Sequence, residues 1–492
     1  MIHRPHVDWL ALAPANSLLA AAGIVLLSSV LLPRGARRPF GAILCAIGFV
    51  VSFVFAAVLY RHSPHAAEEV AAAIRRDRFG ALAQMIVAGS GLLAVGISFG
   101  ERSSDNHIGE YYAVLAAAGA GMAFFVTANN FMTLFLALEW FSISLYVLCA
   151  IDATLRSGLE AALKYLVVGG FGSAVLLFGS ALVYGATGSL RFGGIADAVT
   201  AQRLQDDPLL LFGLAMILAG LCFKASAAPF HMWTPDVYQG APTPVTAFMS
   251  AATKTVALVV MFRVLVTAFP QEEHLWSITL AVIACVSLAV GNFAALVQRN
   301  VKRLLAYSSI SHAGFMLIPL ATGTELGGKA FLYYLIPYSA MSLGAFAVVA
   351  ARERELGRAI TLDNLSGLGW ERPFLGFSLA AFMFGFVGFP LMGGFVGKFY
   401  AFAAAYEHGW TWLVIVGVLA TLVSLYYYLA VIRALFMRTS AELQLAPAGG
   451  APPREALLHL SVFACLAISV GSFFAVQPLI DLAGHAARSL PL

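Results

Sequence analysis

Charge is what this sequence has least of. Asp, Glu, Lys and Arg make up 11% of its 492 residues, against 60% hydrophobic ones, whereas an ordinary soluble domain carries about 25% charged residues. With a mean hydropathy of +0.85, a water-soluble fold is excluded, and the chain reads as an all-α polytopic membrane protein. The net charge of +4 is too small to suggest a nucleic-acid partner, and no arginine-rich tract with interleaved aromatics occurs. Cysteine is equally sparse. Cys45, Cys149, Cys222, Cys285 and Cys465 stand singly in apolar segments, without the close spacing that zinc or iron-sulfur ligation needs. No metal site is expected, and the cysteines read as small core residues. Nothing resembles a cleavable signal peptide, because the first apolar run is followed by many like it.

What is present is a long succession of such runs. At about 20 residues per crossing, fourteen can be counted, from 10–32 to 456–482, and no segment is left for a sizeable soluble domain. The run at 373–405 is too long for one straight helix and carries Gly388, Pro390, Gly393, Gly394 and Gly397 in its middle, which predicts a broken helix. A second break is predicted after Lys224, where Pro229, Pro235, Pro242 and Pro244 follow in quick succession. Broken helices at membrane depth are tolerated only where protein or water covers the freed backbone groups. Lysines and arginines outside the runs number about 15 on one side, Arg34, Arg38, Arg102, Lys302, Arg438 and Arg454 among them. About 9 lie on the other, including Arg4, Arg75 and Arg76. The positive-inside rule then puts both termini on the outer face.

The two breaks also anchor an internal repeat. Phe141-Ser-Ile-Ser144 corresponds to Ser308-Ser-Ile-Ser311, Lys164-Tyr-Leu166 to Tyr333-Tyr-Leu335, and Lys224 to Lys398. This divides the chain into three N-terminal spans (1–110), two five-helix units (111–268 and 275–436) and a C-terminal span (437–492). Paired broken helices in corresponding halves point to an inverted-repeat transporter.

Ionisable groups inside the spans carry the functional signal. Glu139 falls in the middle of its run, Lys164 in the first turns of its own, and Lys224, Lys254 and Lys398 at the centre or the break of theirs. His231 and Asp236 sit inside the first break. A lysine at the bilayer centre costs about 2.5–3.5 kcal/mol, so it faces a polar interior. Burial and a nearby carboxylate act on a lysine in opposite directions, so alternating the two moves a proton on and off the amine. Each group also has a structural reading. Glu139 would lock two helices through one lysine, His231 and His312 would be hydrogen-bonded core histidines, Lys164 would reach the interface, and Arg263, near a helix end, is expected to do the same. Five embedded charges, two of them at helix breaks, fit the relay better than the scaffold.

One block is specific. FKASAAPFHMWTPDVYQGAPTPVTAFMS followed by Lys254 resembles the antiporter-like membrane subunits of the proton-pumping NADH:quinone oxidoreductase, respiratory complex I, and its N-type members in particular. LEW around Glu139, KRLLAYSSISHAG at 302–314 and GGFVGKFYAF at 393–402 extend the resemblance over roughly 111–436. It implies a 14-helix antiporter-like fold with two inverted five-helix repeats and a proton path through Glu139, Lys164, Lys224, His231, Lys254 and Lys398. No cofactor would be bound by this chain, while NADH, FMN, iron-sulfur clusters and quinone would belong to the parent complex. The expected partners are the bilayer and other membrane subunits of the M, K and J types, with L, A and H more distant. The expected location is the bacterial cytoplasmic (inner) membrane. Gly388-Phe-Pro-Leu-Met392 departs from the family's commoner Gly-Ile-Pro-Pro break. Related readings are a subunit of a multi-protein cation/proton antiporter or of a membrane hydrogenase complex.

Overall fold

The computed structural model describes residues 7–101, 107–437 and 455–492. Arg4, Arg102, Arg438 and Arg454, used above for orientation, lie outside them. The N-terminal group is α1 (Trp9–Leu31), α2 (Arg34–His62) and α3 (Arg78–Ser98), with a small antiparallel hairpin of β1 (Ala67–Glu69) and β2 (Ile74–Arg76) before α3. Next come α4 (Ile108–Phe125), α5 (Phe131–Cys149), α6 (Arg156–Thr187), α7 (Phe192–Gln202), α8 (Pro208–Ala225), α9 (Trp233–Gly240) and α10 (Thr243–Ala268). The second series is α11 (Glu273–Leu296), α12 (Val301–Ala321), α13 (Glu325–Leu356), α14 (Leu368–Glu371), α15 (Pro373–Val387), α16 (Gly393–Glu407) and α17 (Thr411–Met437). Helices α18 (Ala456–Phe474) and α19 (Val476–Ala487) close the chain.

Among the described residues 13 helices are long and apolar enough to cross a membrane. The interrupted pair α15–α16 supplies one more crossing. In hydrocarbon every backbone polar group must find an internal partner, so helix starts are placed where the sequence offers a cap. Asn130 accepts from the Thr133 amide at 2.7 Å, Asp207 from those of Leu209 and Leu210 at 2.8 and 3.1 Å, and Asn300 from that of Arg303 at 3.1 Å. The predicted last span is shorter than expected. It ends at Phe474, and Gln477 and Pro478 open a separate short helix, α19, whose polar residues a straight crossing would have placed in lipid.

Both described ends of the chain lie on one face. Arg76 pairs with Asp8, Arg75 donates to the Ser489 carbonyl at 3.3 Å, and Tyr60 to that of Leu482 at 2.6 Å. The opposite face is stitched by Arg38, which donates to the carbonyls of Phe99 and Glu101 at 2.9 and 2.7 Å, and by Arg354, which holds Glu101 and Glu455.

The centre of the bundle is α10, every residue of which is buried. It carries Lys254 and Arg263. The expectation that Arg263 snorkels is wrong. Its side chain is wholly buried and binds Asp77 through two hydrogen bonds, of 2.5 and 2.8 Å. With neighbours covering α10 on all sides, the guanidinium has no path to an interface, so an acid is brought to it. Asp77 also caps α3 by accepting from the Gly80 amide at 2.7 Å. A Cβ on Gly80 would lie 3.0 Å from the Arg263 guanidinium, so the close approach calls for glycine.

Breaking a buried pair from one side strands the other charge and costs about 3–5 kcal/mol, whereas replacing both partners by apolar groups is nearly neutral. Asp77→Leu alone therefore lowers the amount of chain assembled in the membrane sharply. The double variant Asp77→Leu/Arg263→Met recovers all but the loss of the α3 cap, about 1 kcal/mol, and of the 3.3 Å pairing of Asp77 with part-buried Arg75. Quantitative immunoblots of membranes check this, and equal losses in the single and double variants would overturn it.

Candidate functional site

The first break lies between α8 and α9. Ser226 turns the chain with a left-handed backbone (φ 61°), and the Ala228-Pro229 peptide is cis. The freed backbone groups are met from several directions. The Ala227 amide donates back to the Cys222 carbonyl at 2.9 Å, and that of Ala228 to the hydroxyl of buried Ser287 on α11 at 2.9 Å. The Trp233 indole donates to the Phe223 carbonyl at 3.0 Å, and the Lys254 ammonium to that of Ala225, the last residue of α8, at 3.1 Å.

The second break repeats this arrangement with a different lysine. Gly388, at φ 88°, ends α15, and its amide donates to the Phe384 carbonyl at 3.1 Å. Lys398 donates to the carbonyl of Val387, the last residue of α15, at 3.0 Å, with its ammonium 4.1 Å from the Phe315 ring centroid. A Cβ on Gly394 would come within 2.1 Å of the Gly385 carbonyl oxygen, so α16 packs on α15 at a distance that requires glycine there.

The equivalence of Lys224 and Lys398 expected from the sequence does not hold. Lys224 is in the last turn of the half-helix before its break, while Lys398 is in the second turn of the half-helix after its own. The lysines that share a geometry are Lys254 and Lys398. A run rich in Gly and Pro shows that a helix breaks and leaves the breaking bond unspecified, so residues on either side of it look alike.

Lys224 has a surrounding of its own. Its ammonium is buried over the rings of Tyr165, Phe141 and Tyr146, with centroids 5.2, 5.3 and 5.8 Å away, and Tyr165 stacks on Trp233 at 4.5 Å. Such a cage holds a cation through the ring quadrupoles. No ion pair within 4.0 Å joins Lys224 to Glu139, on α5, among the described residues. Of the remaining expected groups, His231 is half-buried within the break. Lys164 is not embedded with the others. Its side chain is 45% exposed and pairs with Glu160 at 2.7 Å and Asp236 at 3.1 Å, the latter also held by Arg303 at 2.5 Å.

Beside the Phe315 ring that carries Lys398 lies a seam of hydroxyls and rings. His312, on α12, is bonded to the Tyr334 hydroxyl at 2.9 Å and to that of Tyr428 at 3.1 Å, and Tyr428 meets Ser308. Sequence reading left His312 ambiguous and missed its tyrosines, for which the only signal was hydroxyl-rich strings such as YSSIS inside apolar runs. It also placed Lys302 in a loop. In the fold Lys302 is buried and donates to the Ala241 carbonyl just past α9, to Thr243, both at 3.0 Å, and faces Glu353 at 3.6 Å. Among the described residues no group of three or more His, Cys, Asp or Glu is placed to hold a metal ion.

Ser287 is the support of the first break that a single hydroxyl provides. Ser287→Ala leaves the buried Ala228 amide without a partner, a cost of about 1–3 kcal/mol, so exchange of that amide with deuterium speeds up about five- to a hundred-fold. Ser287→Thr retains the wild-type rate. Unchanged exchange in Ser287→Ala would show that the break is held by its other contacts alone.

Residues 128–424 match the family model described as NADH:quinone oxidoreductase/Mrp antiporter, TM. The NADH-quinone oxidoreductase subunit N of Trichlorobacter lovleyi is 43% identical over 368 residues, 74% of this chain and 75% of that protein. The subunit N of Chloroflexus aggregans is 38% identical over 437 residues, 88% and 89% of the two chains. Among solved structures, a chain of respiratory complex I from Thermus thermophilus superposes with a TM-score of 0.80 at 31% identity, covering 96% of this chain and 99% of that one. A chain of an archaeal membrane-bound sulfane sulfur reductase gives 0.87 at 25%, covering 98% of each. A chain of the Mrp complex from a Dietzia species gives 0.83 at 19%, covering 97% of each, which shows the shared fold alone. The chain thus belongs to the NADH:quinone oxidoreductase/Mrp antiporter membrane family, in its branch of complex I subunits N.

Proposed function

We propose that this chain moves protons outward across the bacterial cytoplasmic membrane, driven by electron transfer from NADH to quinone in other subunits of complex I. On this reading it holds no redox centre, and NADH, FMN, iron-sulfur clusters and quinone are bound elsewhere. Its neighbours are membrane subunits of the M, K and J types, with L, A and H further off. Half-exposed Lys164, flanked by Leu163 and Val167 at 61% and 62% exposure, marks a side where such a neighbour docks. A charged group facing lipid there would be costly.

The observation that carries the reading is the geometry shared by Lys254 and Lys398. Each is buried, donates to the terminal carbonyl of a half-helix, and has no carboxylate partner among the described residues. An amine tied to a carboxylate is fixed in its charged form. One tied to a carbonyl accepts and releases a proton without a counter-ion having to follow it. The relay begins where a carboxylate is within electrostatic reach. Redox events elsewhere change the field at Glu139. As Glu139 draws toward Lys224 the lysine holds its proton in the aromatic cage, and as it withdraws the proton passes by His231 and the break to Lys254. His312, between the tyrosines, links Lys254 to Lys398. Moving one charge across 100 mV takes about 2.3 kcal/mol, and a change of one pKa unit corresponds to about 1.4 kcal/mol. Modest changes in pairing at each site are therefore sufficient.

Lys398 gives the decisive experiment, because arginine keeps a positive charge yet releases no proton at accessible pH. In reconstituted vesicles both Lys398→Arg and Lys398→Met assemble and lose quinone-coupled proton movement, with subunit content measured alongside. Full pumping by well-assembled Lys398→Arg would leave Lys398 a structural residue. Orientation is tested separately. With the termini outside, a cysteine at exposed Arg358, in the segment after α13, reacts with an impermeant maleimide only from the inner side, and labelling from outside would reverse the assignment.

A further inference from the structure

Helices α2 and α3 stand against α13, α18 and α19 across an apolar crevice of about 600 Å³. Its mouth is formed by Phe53, Leu92 and Ile468, which are 43%, 36% and 39% exposed, and its floor by buried Leu82, Ala340 and Leu343. This volume falls within the range of small-molecule sites, about 300–1,000 Å³. It is several times larger than the roughly 150 Å³ at which an apolar cavity is known to stay dry and empty. Water gains little from such walls, whose side chains offer only the hydroxyls of Ser90, Ser339 and Ser472. A transmembrane helix does not fit either, because even 20 Å of helix about 10 Å across occupies roughly 1,600 Å³.

The crevice has a polar end. Leu482 lines it, and the Leu482 carbonyl accepts the Tyr60 hydroxyl at 2.6 Å. Arg78 lies one turn before Leu82, donates to the Tyr60 carbonyl at 3.1 Å and covers the Tyr60 ring at 5.5 Å. Arg61 follows Tyr60 and is exposed. Neither Arg61 nor Arg78 pairs with a carboxylate among the described residues, whereas Arg488 on the same face is occupied by Glu325 at 3.3 Å. Apolar walls that end at Leu482, beside the Tyr60 covered by Arg78 and followed in sequence by exposed Arg61, complement a molecule with a hydrocarbon tail and an anionic head.

We propose that this crevice binds one acyl chain of an anionic phospholipid, whose phosphate is met by Arg61 and Arg78 on the face that carries the termini. The bound chain seals the bundle next to the proton path. Ser339 lines the crevice, and its hydroxyl is 3.4 Å from that of Thr255, the residue after Lys254. One layer of side chains thus separates the lipid tail from the helix bearing the lysine.

The test uses the intact complex in vesicles containing phosphatidylglycerol with a photoreactive diazirine on one acyl chain. The same diazirine is placed in parallel on phosphatidylethanolamine and on an isoprenoid quinone. Phosphatidylglycerol adducts are expected to concentrate on peptides 336–343 and 464–479, well above those at Phe171 on the exposed side of α6. The preference for phosphatidylglycerol over phosphatidylethanolamine falls about fivefold in Arg61→Gln, the factor that one basic residue near an anionic head provides. Gly89→Phe, whose Cβ meets nothing within 4 Å and whose ring grows into the crevice, removes these adducts. Should that variant not assemble, competition by unlabelled phosphatidylglycerol in the wild type decides instead. Adducts spread evenly over all bilayer-facing helices, failure of phosphatidylglycerol to compete, or capture by the quinone probe in preference to the lipid would overturn the proposal.

Discussion

The fold depends on one repeated contact, a buried lysine ammonium donating to the carbonyl at the C-terminal end of a short helix. Lys254 does this to Ala225, Lys302 to Ala241 and Lys398 to Val387. A helix that stops inside a membrane leaves four carbonyls without intrahelical partners and a negative end to its dipole. Solvent would answer this in a soluble protein, and at membrane depth another part of the chain must. A lysine serves both needs, since it donates hydrogen bonds and brings charge of the right sign. At Lys254 and Lys398 the contact involves no carboxylate among the described residues, whereas Lys302 also faces Glu353 at 3.6 Å. On the proposed relay, helix stability and proton occupancy would be coupled through a single bond at each of these two breaks.

That coupling requires the lysine-bearing helix to stay fixed while its proton changes. Helix α10 is covered on every side, and the Asp77–Arg263 pair clamps it to α3 away from Lys254. Nine residues separate Lys254 from Arg263, two and a half helical turns, so the two side chains leave α10 in opposite directions. Lys254 reaches the break and Arg263 reaches the N-terminal helix group. Arginine suits the clamp because its fork meets a carboxylate through two bonds and keeps its charge, and lysine suits the relay for the opposite reason.

Much of this was legible in the sequence, and the failures share a cause. The apolar runs, both breaks and the embedded Glu139, Lys224, Lys254 and Lys398 follow from hydropathy and from the cost of charge in lipid, which are local properties. Arg263 and Lys302 were misplaced, and the partners of Lys164 were missed, because their surroundings are decided by residues far along the chain. Asp77 is 186 positions from Arg263, Ala241 is 61 from Lys302, and Asp236 is 72 from Lys164. No period or motif marks such distances. The His312 seam escaped for another reason. Tyrosine and serine are ordinary residues of membrane helices, and their hydrogen bonds become meaningful only when α12, α13 and α17 are brought side by side.

The two halves are also unequal in a way that bears on the proposed direction of control. Lys224 has Glu139 within electrostatic reach, while Lys398 has no carboxylate partner among the described residues and rests on a carbonyl and the Phe315 ring. A group without a counter-ion cannot be switched by moving that counter-ion. On the proposed relay the occupancy of Lys398 would answer to the charge on Lys254 by way of His312, or to charges brought by an adjoining subunit near the exposed residues Phe389, Leu391 and Phe399 at the second break. On the proposed relay the first half would receive the signal and the second half would hand the proton on, so a perturbation at Glu139 would reach Lys398 only through the seam between them.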